Sequence, residues 1–216
     1  MEAQLKQIIR DFPDYPKPGI IFKDISPILM DMDLYGQVIS TFAERIRKLN
    51  IDAIAGVESR GFWFGPAIAQ QLNVPFVPIR KRGKLPGETY SYSYDLEYGS
   101  TEMHIHTDAL EGHNELLIID DLLATGGTAL AAVELIEKFK NKNIVGAGFI
   151  INLPDLRSPL KSCDSFINLL ASTKDLYAAC LFMPLISMMS LYFLILSFNS
   201  FCLLAKAASS AASGSI

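Results

Sequence analysis

The stretch "LLIIDDLLATGGTAL", residues Leu116–Leu130, joins an apolar run to two adjacent carboxylates and a glycine pair. A short run of leucine and isoleucine without a polar interruption is typical of a strand buried on both faces of a parallel sheet. Apolar residues at helical spacing follow from Thr128 and predict a helix. The stretch therefore predicts a strand, a glycine-containing loop and a helix, with both carboxylates at the end of the strand.

The same alternation of strand and helix extends outward from this stretch. The sequence predicts strands at residues 53–57, 76–79, 116–119 and 145–151, and helices at 34–49, 62–72 and 128–139. Short apolar strands separated by helices indicate an α/β fold with a central, mostly parallel sheet flanked by helices. Ligands of such sheets bind beyond the carboxyl ends of the strands.

Two segments depart from this alternation. Residues 83–110 have period-two character around a glycine, which predicts a flap hairpin standing over the strand ends. Near the N-terminus, residues 2–10 predict an amphipathic helix, and the prolines of "FPDYPKPG" predict a rigid loop after it.

Composition and charge narrow the class of protein. The 216 residues are 50% hydrophobic and can bury a sizeable core, and a net charge of -4 argues against nucleic acid as a partner. Cys163, Cys180 and Cys202 all follow residue 156, and the charged N-terminus lacks the apolar segment of a secretory signal. These features predict a reduced compartment and a cytoplasmic location.

The loop after the two carboxylates has the composition of an anion site. Small residues free the backbone amides at the start of a helix, and a phosphate can bind there without a lysine. Asp120 and Asp121 would repel that phosphate unless they accept hydrogen bonds from hydroxyls, and a ribose diol supplies such donors. A Walker A loop is excluded because no Gly-Lys-Ser/Thr follows the glycines. The alternative is that Asp121 caps a helix and the glycines only turn the chain.

Four stretches in order along the chain resemble the type I phosphoribosyltransferases: "FPDYPKPGIIFKDISPIL", "GVESRGFWFGPAIA", "PFVPIRKRGKLPGETYSYSYDLEYG" and "LLIIDDLLATGGT". The signature of that family is two acids followed by a Thr-Gly-Gly-Thr loop that binds phosphoribosyl pyrophosphate. The likeness covers about residues 1–156. Within the family, the sequence most resembles the adenine phosphoribosyltransferase branch. It implies transfer of 5-phosphoribose to adenine by a homodimer, with AMP and pyrophosphate as products. Another purine base, such as hypoxanthine, is the alternative within this class.

The resemblance also implies roles for individual residues. Asp120 and Asp121 would bind the ribose, and its 5′-phosphate would bind a loop made of Ala124, Thr125, Gly126, Gly127 and Thr128. Pyrophosphate contacts would come from Arg60, Arg80, Lys81 and Lys84, of which Lys81 and Lys84 are the stronger candidates in the basic cluster. Without the resemblance, Arg60 would be a surface ion pair and the cluster a solvated charge run.

The base would lie between the flap and the segment after the first Pro-Gly turn. Ile21, Phe22 and Lys23 match the positions that frame the base in the family. Glu97 is the candidate for handling the proton of the base, because a carboxyl group closed into a dry pocket rises in pKa. Tyr98 would fill the closed pocket beside the substrate. The alternatives are core packing for Ile21 and Phe22 and plain solvation for Glu97.

Magnesium is the cofactor that this chemistry implies. It would arrive with phosphoribosyl pyrophosphate and be held mainly by phosphate oxygens and water, so no protein metal ligands are predicted. His104 and His106 share one strand face at a spacing that can suit a metal, but no third ligand lies nearby in the sequence.

The composition changes at Arg157. Residues 176–205 contain no charged residue, so the chain is predicted to consist of a phosphoribosyltransferase domain at 1–156 and a divergent hydrophobic segment at 157–216. The segment is long enough to cross a membrane, which takes about 20 apolar residues. It is interpreted as a membrane anchor, a packing or oligomer interface, or an alternative terminus, and the last is favoured. The corresponding alternative function is a noncatalytic or membrane-tethered isoform that retains the phosphoribosyl-binding pocket.

Overall fold

The computed structural model describes residues 1–96, 99–153 and 166–168, and it describes the backbone alone at residues 95, 96, 99, 100 and 166–168. The helices are α1 (Glu2–Ile8), α2 (Ser26–Met30), α3 (Met32–Ile46), α4 (Gly65–Leu72) and α5 (Gly127–Ile136), with 3-10 turns at Arg47–Leu49 and Arg60–Trp63. The strands are β1 (Arg10–Pro13), β2 (Ile21–Asp24), β3 (Ala53–Val57), β4 (Phe76–Lys81), β5 (Thr89–Leu96), β6 (Gly99–His106), β7 (Glu115–Leu123), β8 (Asn143–Asn152) and β9 (Phe166–Asn168).

Within this part of the chain, seven strands form one sheet in the order β5-β6-β4-β3-β7-β8-β9. The neighbours from β4 to β9 run parallel. The antiparallel hairpin β5-β6 joins the edge of β4 through the pairs Arg80–His104 and Lys81–Met103. The predicted α/β class with a mostly parallel sheet is confirmed, and the predicted flap is an extension of that same sheet.

Helices cover both faces of the sheet. On one face, α1 to α4 pack residues such as Phe42 and Ile68 against Leu117 and Ile119 of β7. On the other face, α5 and the hairpin β5-β6 pack against residues such as Ile118. Each large aliphatic or aromatic side chain buried in this way contributes about 1.5–3 kcal/mol. The core therefore fixes β7 from both sides.

The N-terminal segment differs from the rigid loop predicted from its prolines. β1 and β2 form a separate two-stranded antiparallel sheet, and ion pairs of Arg10 with Asp24 and of Lys23 with Asp11 link the two strands. The turn between them is closed by the Gly19 amide, which donates to Asp14 Oδ1 at 2.7 Å. Gly19 has a φ of +86°, which a residue without a side chain adopts readily. Pro13 thus ends β1 opposite Ile21, and Pro16 and Pro18 lie in the turn of a hairpin instead of in a loop without pairing.

Strand β7 is longer than its apolar run predicted. Its pairing with β3 ends at Gly56–Ile119, but its pairing with β8 continues through Asp120–Phe149 to Leu123–Asn152. Backbone pairing on one side alone is enough to keep the two carboxylates in the strand. Helix α5 begins at Gly127 and ends at Ile136, so the polar end of the predicted helix at 137–139 lies beyond it.

The C-terminal segment 157–216 lies outside the described residues except for Phe166–Asn168, whose backbone forms β9 beside β8. Among the residues that the structure does describe, no helix is long and apolar enough to cross a membrane. The three interpretations of the segment and the predicted boundary at residue 156 stay predictions.

Candidate active site

A cavity of about 290 Å³ lies beyond the carboxyl end of β3, beside the loop that joins β7 to α5. Its walls come from the end of β3, the 3-10 turn that follows it, the hairpin and the β7–α5 loop. The residues that line it are Glu58, Ser59, Arg60, Lys81, Tyr94, Thr101 and all residues from 120 to 129. Acidic, basic and amide groups therefore converge at the sheet edge where the sequence predicted ligand binding.

Asp121 is held on the buried side of β7 by Arg60. Its side chain is 4% exposed, and Arg60 Nε lies 3.0 Å from Oδ2 in an ion pair without hydrogen-bond geometry. Burial raises the pKa of Asp121, and the guanidinium of Arg60 opposes that rise. The approach depends on Gly61, because a Cβ atom there would lie 2.6 Å from the Ile119 carbonyl oxygen. Arg60 is therefore oriented by a buried carboxylate, which contradicts its alternative interpretation as a surface ion pair.

Asp120 is half-buried and faces the cavity. Its Oδ1 atom accepts a hydrogen bond from the Asp121 amide at 2.9 Å. Burial and the neighbouring Asp121 carboxylate raise the pKa of Asp120 well above its ordinary range. Consecutive strand residues point in opposite directions, yet both carboxylates line the cavity, and Asp121 lies there beside Arg60.

The loop between the carboxylates and α5 exposes backbone donors. Gly126 precedes the helix with a φ of +91°, and no side chain caps the helix start. The first amides of α5 therefore have no intrahelical acceptor and face the position where an anion gains from the helix dipole. The alternative that Asp121 caps this helix is wrong, since the residue at the cap position is Gly126.

The hairpin contributes Tyr94 and Thr101 to the cavity, and neither was among the residues predicted from the sequence. Tyr94 Oη lies 3.2 Å from Thr128 Oγ1. Its ring covers Gly127, where a Cβ atom would lie 3.5 Å from Tyr94 Cδ2. The period-two spacing of "TYSYSY" is a signal for tyrosines on one strand face, but it does not indicate which tyrosine meets the loop.

The basic cluster divides into separate roles. Arg80 Nε and Nη2 lie 3.3 Å and 3.4 Å from the Glu58 carboxylate, and Arg80 Nη1 donates to the Lys84 carbonyl at 2.9 Å. The Lys81 amide also donates to Glu58, at 3.0 Å. Burial opposes ionisation of Glu58, but these donors outweigh it and lower its pKa. Lys81 lines the cavity, and neither Arg80 nor Lys84 is among the lining residues. Arg80 instead contacts Glu58, which does line it.

The segment proposed to frame the base lies outside the cavity lining but touches Arg60. Arg60 Nη1 donates to the Lys23 carbonyl at 3.1 Å, and its guanidinium lies 5.2 Å from the centre of the Phe22 ring. The Lys23 ammonium pairs with Asp11 at 2.6 Å. Ile21 is 54% exposed, so the core-packing interpretation is wrong for this residue. Arg60 thus connects Asp121 with the segment around Phe22.

The sequence also singled out two pairs of residues, Glu97 with Tyr98 and His104 with His106. Glu97 and Tyr98 lie outside the described residues. His104 Nδ1 lies 3.0 Å from Thr89 Oγ1, and Nε2 lies 3.5 Å from Glu102 Oε2. Throughout residues 1–96 and 99–153, no group of three or more His, Cys, Asp or Glu side chains could hold a metal ion. The pair His104 and His106 is therefore not part of a three-ligand cluster there.

The sequence of this chain is similar to those of known phosphoribosyltransferases. Residues 28–175 match the family model of the phosphoribosyl transferase domain. The adenine phosphoribosyltransferase of Prochlorococcus marinus strain MIT 9313 is 52% identical over 152 residues, which span 70% of this chain and 88% of the relative.

Solved structures show the same likeness. The adenine phosphoribosyltransferase of Thermoanaerobacter pseudethanolicus is 43% identical with a TM-score of 0.73, and the match covers 79% of this chain and 99% of that one. The enzyme of Saccharomyces cerevisiae, complexed with an imino-altritol bisphosphate and adenine, is 36% identical with a TM-score of 0.70, covering 80% and 98%. The chain therefore belongs to the adenine phosphoribosyltransferases, within the phosphoribosyl transferase domain family.

Proposed function

We propose that this chain transfers the 5-phosphoribosyl group from phosphoribosyl pyrophosphate to adenine, giving AMP and pyrophosphate. One observation carries the proposal: Asp120 and Asp121 lie beside the free amides of α5 in a single cavity. A ribose phosphate needs both features, because its hydroxyls are donors and its phosphate is an anion. Membership of the family makes the chain a glycosyltransferase, and adenine in the yeast relative supports the choice of base.

The reaction sets the demands on the site. The bond from the anomeric carbon to pyrophosphate breaks, a bond from that carbon to a ring nitrogen of adenine forms, and that nitrogen releases its proton. Positive charge develops on the ribose and negative charge on the departing pyrophosphate, so groups aimed at these charges lower the barrier. Arg60 and Lys81 line the cavity and are proposed to contact the pyrophosphate. The fixed fork of Arg60 suits two phosphate oxygens at once.

The other end of the substrate is proposed to occupy the β7–α5 loop. The backbone amides of residues 124–128 would bind the 5′-phosphate, and Asp120 and Asp121 would accept hydrogen bonds from the ribose hydroxyls. Each carboxylate is already next to a positive or donor group: Arg60 for Asp121 and the Asp121 amide for Asp120. The carboxylates are thus oriented before a ligand binds, which reduces the ordering that binding requires.

The carboxylate donor set fits magnesium as part of the substrate complex. Asp120 presents carboxylate oxygens at the cavity wall. Burial and the Asp121 carboxylate raise its pKa and so make its charge unfavourable, and a nearby divalent cation would offset that cost. We expect magnesium to stay mainly on phosphate oxygens and water, with Asp120 as the protein group nearest to it. When bound, the ion would neutralise charge on the leaving group.

The base is proposed to lie against the segment Ile21–Lys23, which Arg60 connects to Asp121. Glu97 is proposed to take the proton from adenine, and Tyr98 to cover the base. These two roles rest on the match between "LEYG" and the family element, because both residues lie outside the described part of the chain. Arg80 and Lys84 are proposed to stabilise the part of the cavity wall that binds pyrophosphate. Arg80 does so through its contacts with the Glu58 carboxylate and with the Lys84 carbonyl, which precedes the hairpin.

Assembly and location complete the proposal. The family resemblance supports a homodimer, and the cysteine-free sequence up to residue 162 supports a cytoplasmic location. Light scattering coupled to size exclusion would measure the oligomeric state of the full chain directly.

The proposal is tested by AMP formation from adenine and phosphoribosyl pyrophosphate with magnesium, using the purified full-length chain. Hypoxanthine and guanine in place of adenine measure base choice. Asp121→Asn removes the charge that orients Arg60 while keeping the side-chain size, and we expect it to lower kcat/KM by about 100-fold. The exposed Asp108→Asn is the matched control and should retain activity.

Two outcomes would contradict the proposal. A full-length chain that is folded and monodisperse but forms no AMP would exclude the transferase activity. Equal activity in Asp121→Asn and in the unmodified chain would remove the Asp121 charge from the mechanism. Preference for hypoxanthine would change the base and leave the phosphoribosyl transfer in place.

A further inference from the structure

Tyr94 is the residue of the hairpin that meets the proposed phosphate loop. Its hydroxyl lies 3.2 Å from Thr128 Oγ1, and its ring lies on Gly127. Both contacted residues belong to the first turn of α5, where the free amides are. The contact therefore joins two parts of the chain that are more than 30 residues apart, at the point where a phosphate is proposed to bind.

Hydrogen-bond chemistry gives this contact a direction once a phosphate is present. A threonine hydroxyl has one hydrogen to donate and two lone pairs that accept. A phosphate oxygen is an acceptor, so Thr128 would donate its hydrogen to the phosphate and keep its lone pairs for another donor. Tyr94 Oη is within reach of those lone pairs. A chain from tyrosine to threonine to phosphate then has every hydrogen assigned, and each bond polarises the next.

The surroundings of Tyr94 keep its hydrogen in place. Burial raises the pKa of the Tyr94 phenol, and the nearby Asp120 carboxylate adds to that rise against the opposing effect of Thr128. The phenol is therefore a donor at neutral pH. Tyr94 also lies in the outer part of the hairpin, which is the part beyond its last pair with β4, Lys81–Met103. There Tyr94 pairs with Thr101 of β6.

We infer that the Tyr94 hydroxyl is a positioning group for the 5′-phosphate: it donates to Thr128 Oγ1 and directs the Thr128 hydrogen toward a phosphate oxygen. The inference rests on the proposed function, because it takes the loop at residues 124–128 as the phosphate site. It assigns to the hairpin a role at the phosphate end of the substrate as well as at the base. Phosphate binding and the position of the outer hairpin are then coupled through one hydrogen bond.

The test is a pair of tyrosine-to-phenylalanine variants in the full chain. Tyr94→Phe removes one oxygen and keeps the ring over Gly127. Tyr92→Phe is the matched control, because Tyr92 lies on the same face of β5 and packs in the same cluster as α5. Burial and the Glu134 carboxylate of α5 raise the pKa of its phenol. Calorimetry measures the Kd of each protein for ribose 5-phosphate and for inorganic pyrophosphate. Steady-state kinetics measure KM for phosphoribosyl pyrophosphate and for adenine.

We expect Tyr94→Phe to weaken ribose 5-phosphate binding by about fivefold to tenfold, the value of one lost hydrogen bond. KM for phosphoribosyl pyrophosphate should rise by a similar factor, while the Kd for pyrophosphate and KM for adenine stay the same. Tyr92→Phe should change none of these. Tyr94→Phe combined with Thr128→Val should bind ribose 5-phosphate no more weakly than Thr128→Val alone, because both changes break one chain.

The inference is overturned by three results. One is unchanged ribose 5-phosphate affinity in Tyr94→Phe. Another is an equal loss of pyrophosphate affinity, which would indicate a general structural effect. The third is an unmodified chain that does not bind ribose 5-phosphate. A chain that binds ribose 5-phosphate with the expected variant effects but forms no AMP would refute the proposed function and leave the role of Tyr94 intact.

Discussion

Two strands of this chain that carry aspartates, β7 and β1, are held in place in contrasting ways. In β7, Asp121 is 4% exposed, and buried side chains on both faces of the sheet hold the strand that carries it. In β1, Asp11 has a side chain that is 52% exposed and is held to β2 by the ammonium of Lys23. Both aspartates have a cationic partner. The first lies in the core of the domain and the second at its surface.

The difference indicates how the chain divides two tasks. The proposed phosphoribosyl side is fixed by the packing of the main sheet. Its carboxylates are oriented by that packing, but they lose part of their hydration, which is unfavourable for a charged group. The proposed base side is a small separate sheet that surface ion pairs stabilise only weakly. Arg60 connects the two through Asp121 and the Lys23 carbonyl. Changes on the buried side should therefore have larger effects than equivalent changes on the exposed side.

The largest effect is expected at Gly61, where the backbone of β7 leaves no room for a side chain. In Gly61→Ala the new Cβ atom meets the Ile119 carbonyl oxygen, so the Arg60 turn must move away from β7. We expect the free energy of unfolding to fall by about 1–3 kcal/mol and kcat/KM to fall with it. Urea unfolding and the AMP assay measure both quantities.

Gly36→Ala is the matched control for that change. Gly36 lies inside α3 with open space around its Cα, so alanine should raise the free energy of unfolding by about 0.5–1 kcal/mol. Equal stability of Gly61→Ala and the unmodified chain would show that the turn is free to shift, and the contrast between the two sides would weaken.

A smaller effect, of opposite sign, is expected from Asp120→Asn. The folded pKa of Asp120 is raised above its ordinary value of 3.8, so the folded chain holds this proton more tightly than the unfolded chain. The free energy of unfolding of the unmodified chain should therefore fall as the pH rises through the raised pKa, and the cost persists at neutral pH. Asp120→Asn should raise it by about 0.5–2 kcal/mol at pH 7 while activity is lost.

Urea unfolding at several pH values separates this explanation from a general change in packing. The gain from Asp120→Asn should shrink as the pH is lowered, because the carboxylate of the unmodified chain then takes up its proton. A gain that does not depend on pH, or a loss of stability at pH 7, would contradict the assignment of an unfavourable charge to Asp120.

The smallest effect is expected on the exposed side. Lys23→Ala removes the ion pair with Asp11 but keeps the backbone carbonyl that Arg60 contacts. The free energy of unfolding should change by less than about 1 kcal/mol, and less still at high salt. Asp11→Ala should give the same small change. A loss as large as that of Gly61→Ala would mean that the small sheet is as important to stability as the core.

Much of the fold follows from local patterns in the sequence. Helix α3 contains most of the predicted range 34–49, and β3 has the predicted bounds, because each pattern reflects burial against the same sheet. The extension of β7 through Asp120 was not predictable from hydropathy, since it depends on pairing with β8. The small sheet of β1 and β2 was missed because prolines and charges predict loops, and its pairing depends on residues brought together across a turn.

The candidate site divides along the same lines. Arg60, Lys81, the two aspartates and the glycine loop follow strand ends in the sequence, and they line one cavity. The contacts of Glu58 with Arg80 and of Tyr94 with Thr128 join separate elements, so no local pattern indicates them. Such contacts depend on register and on hairpin orientation, which only the folded sheet defines.

The order of the strands has one further consequence. From the neighbours β3 and β7, the chain leaves in opposite directions: α4 packs on one face of the sheet and α5 on the other. Two adjacent parallel strands whose connections diverge necessarily leave a crevice between them at the topological switch point. The crevice thus originates in chain connectivity rather than in any single side chain. Substitutions there should alter which ligand is held and how it reacts, while the place for a ligand remains.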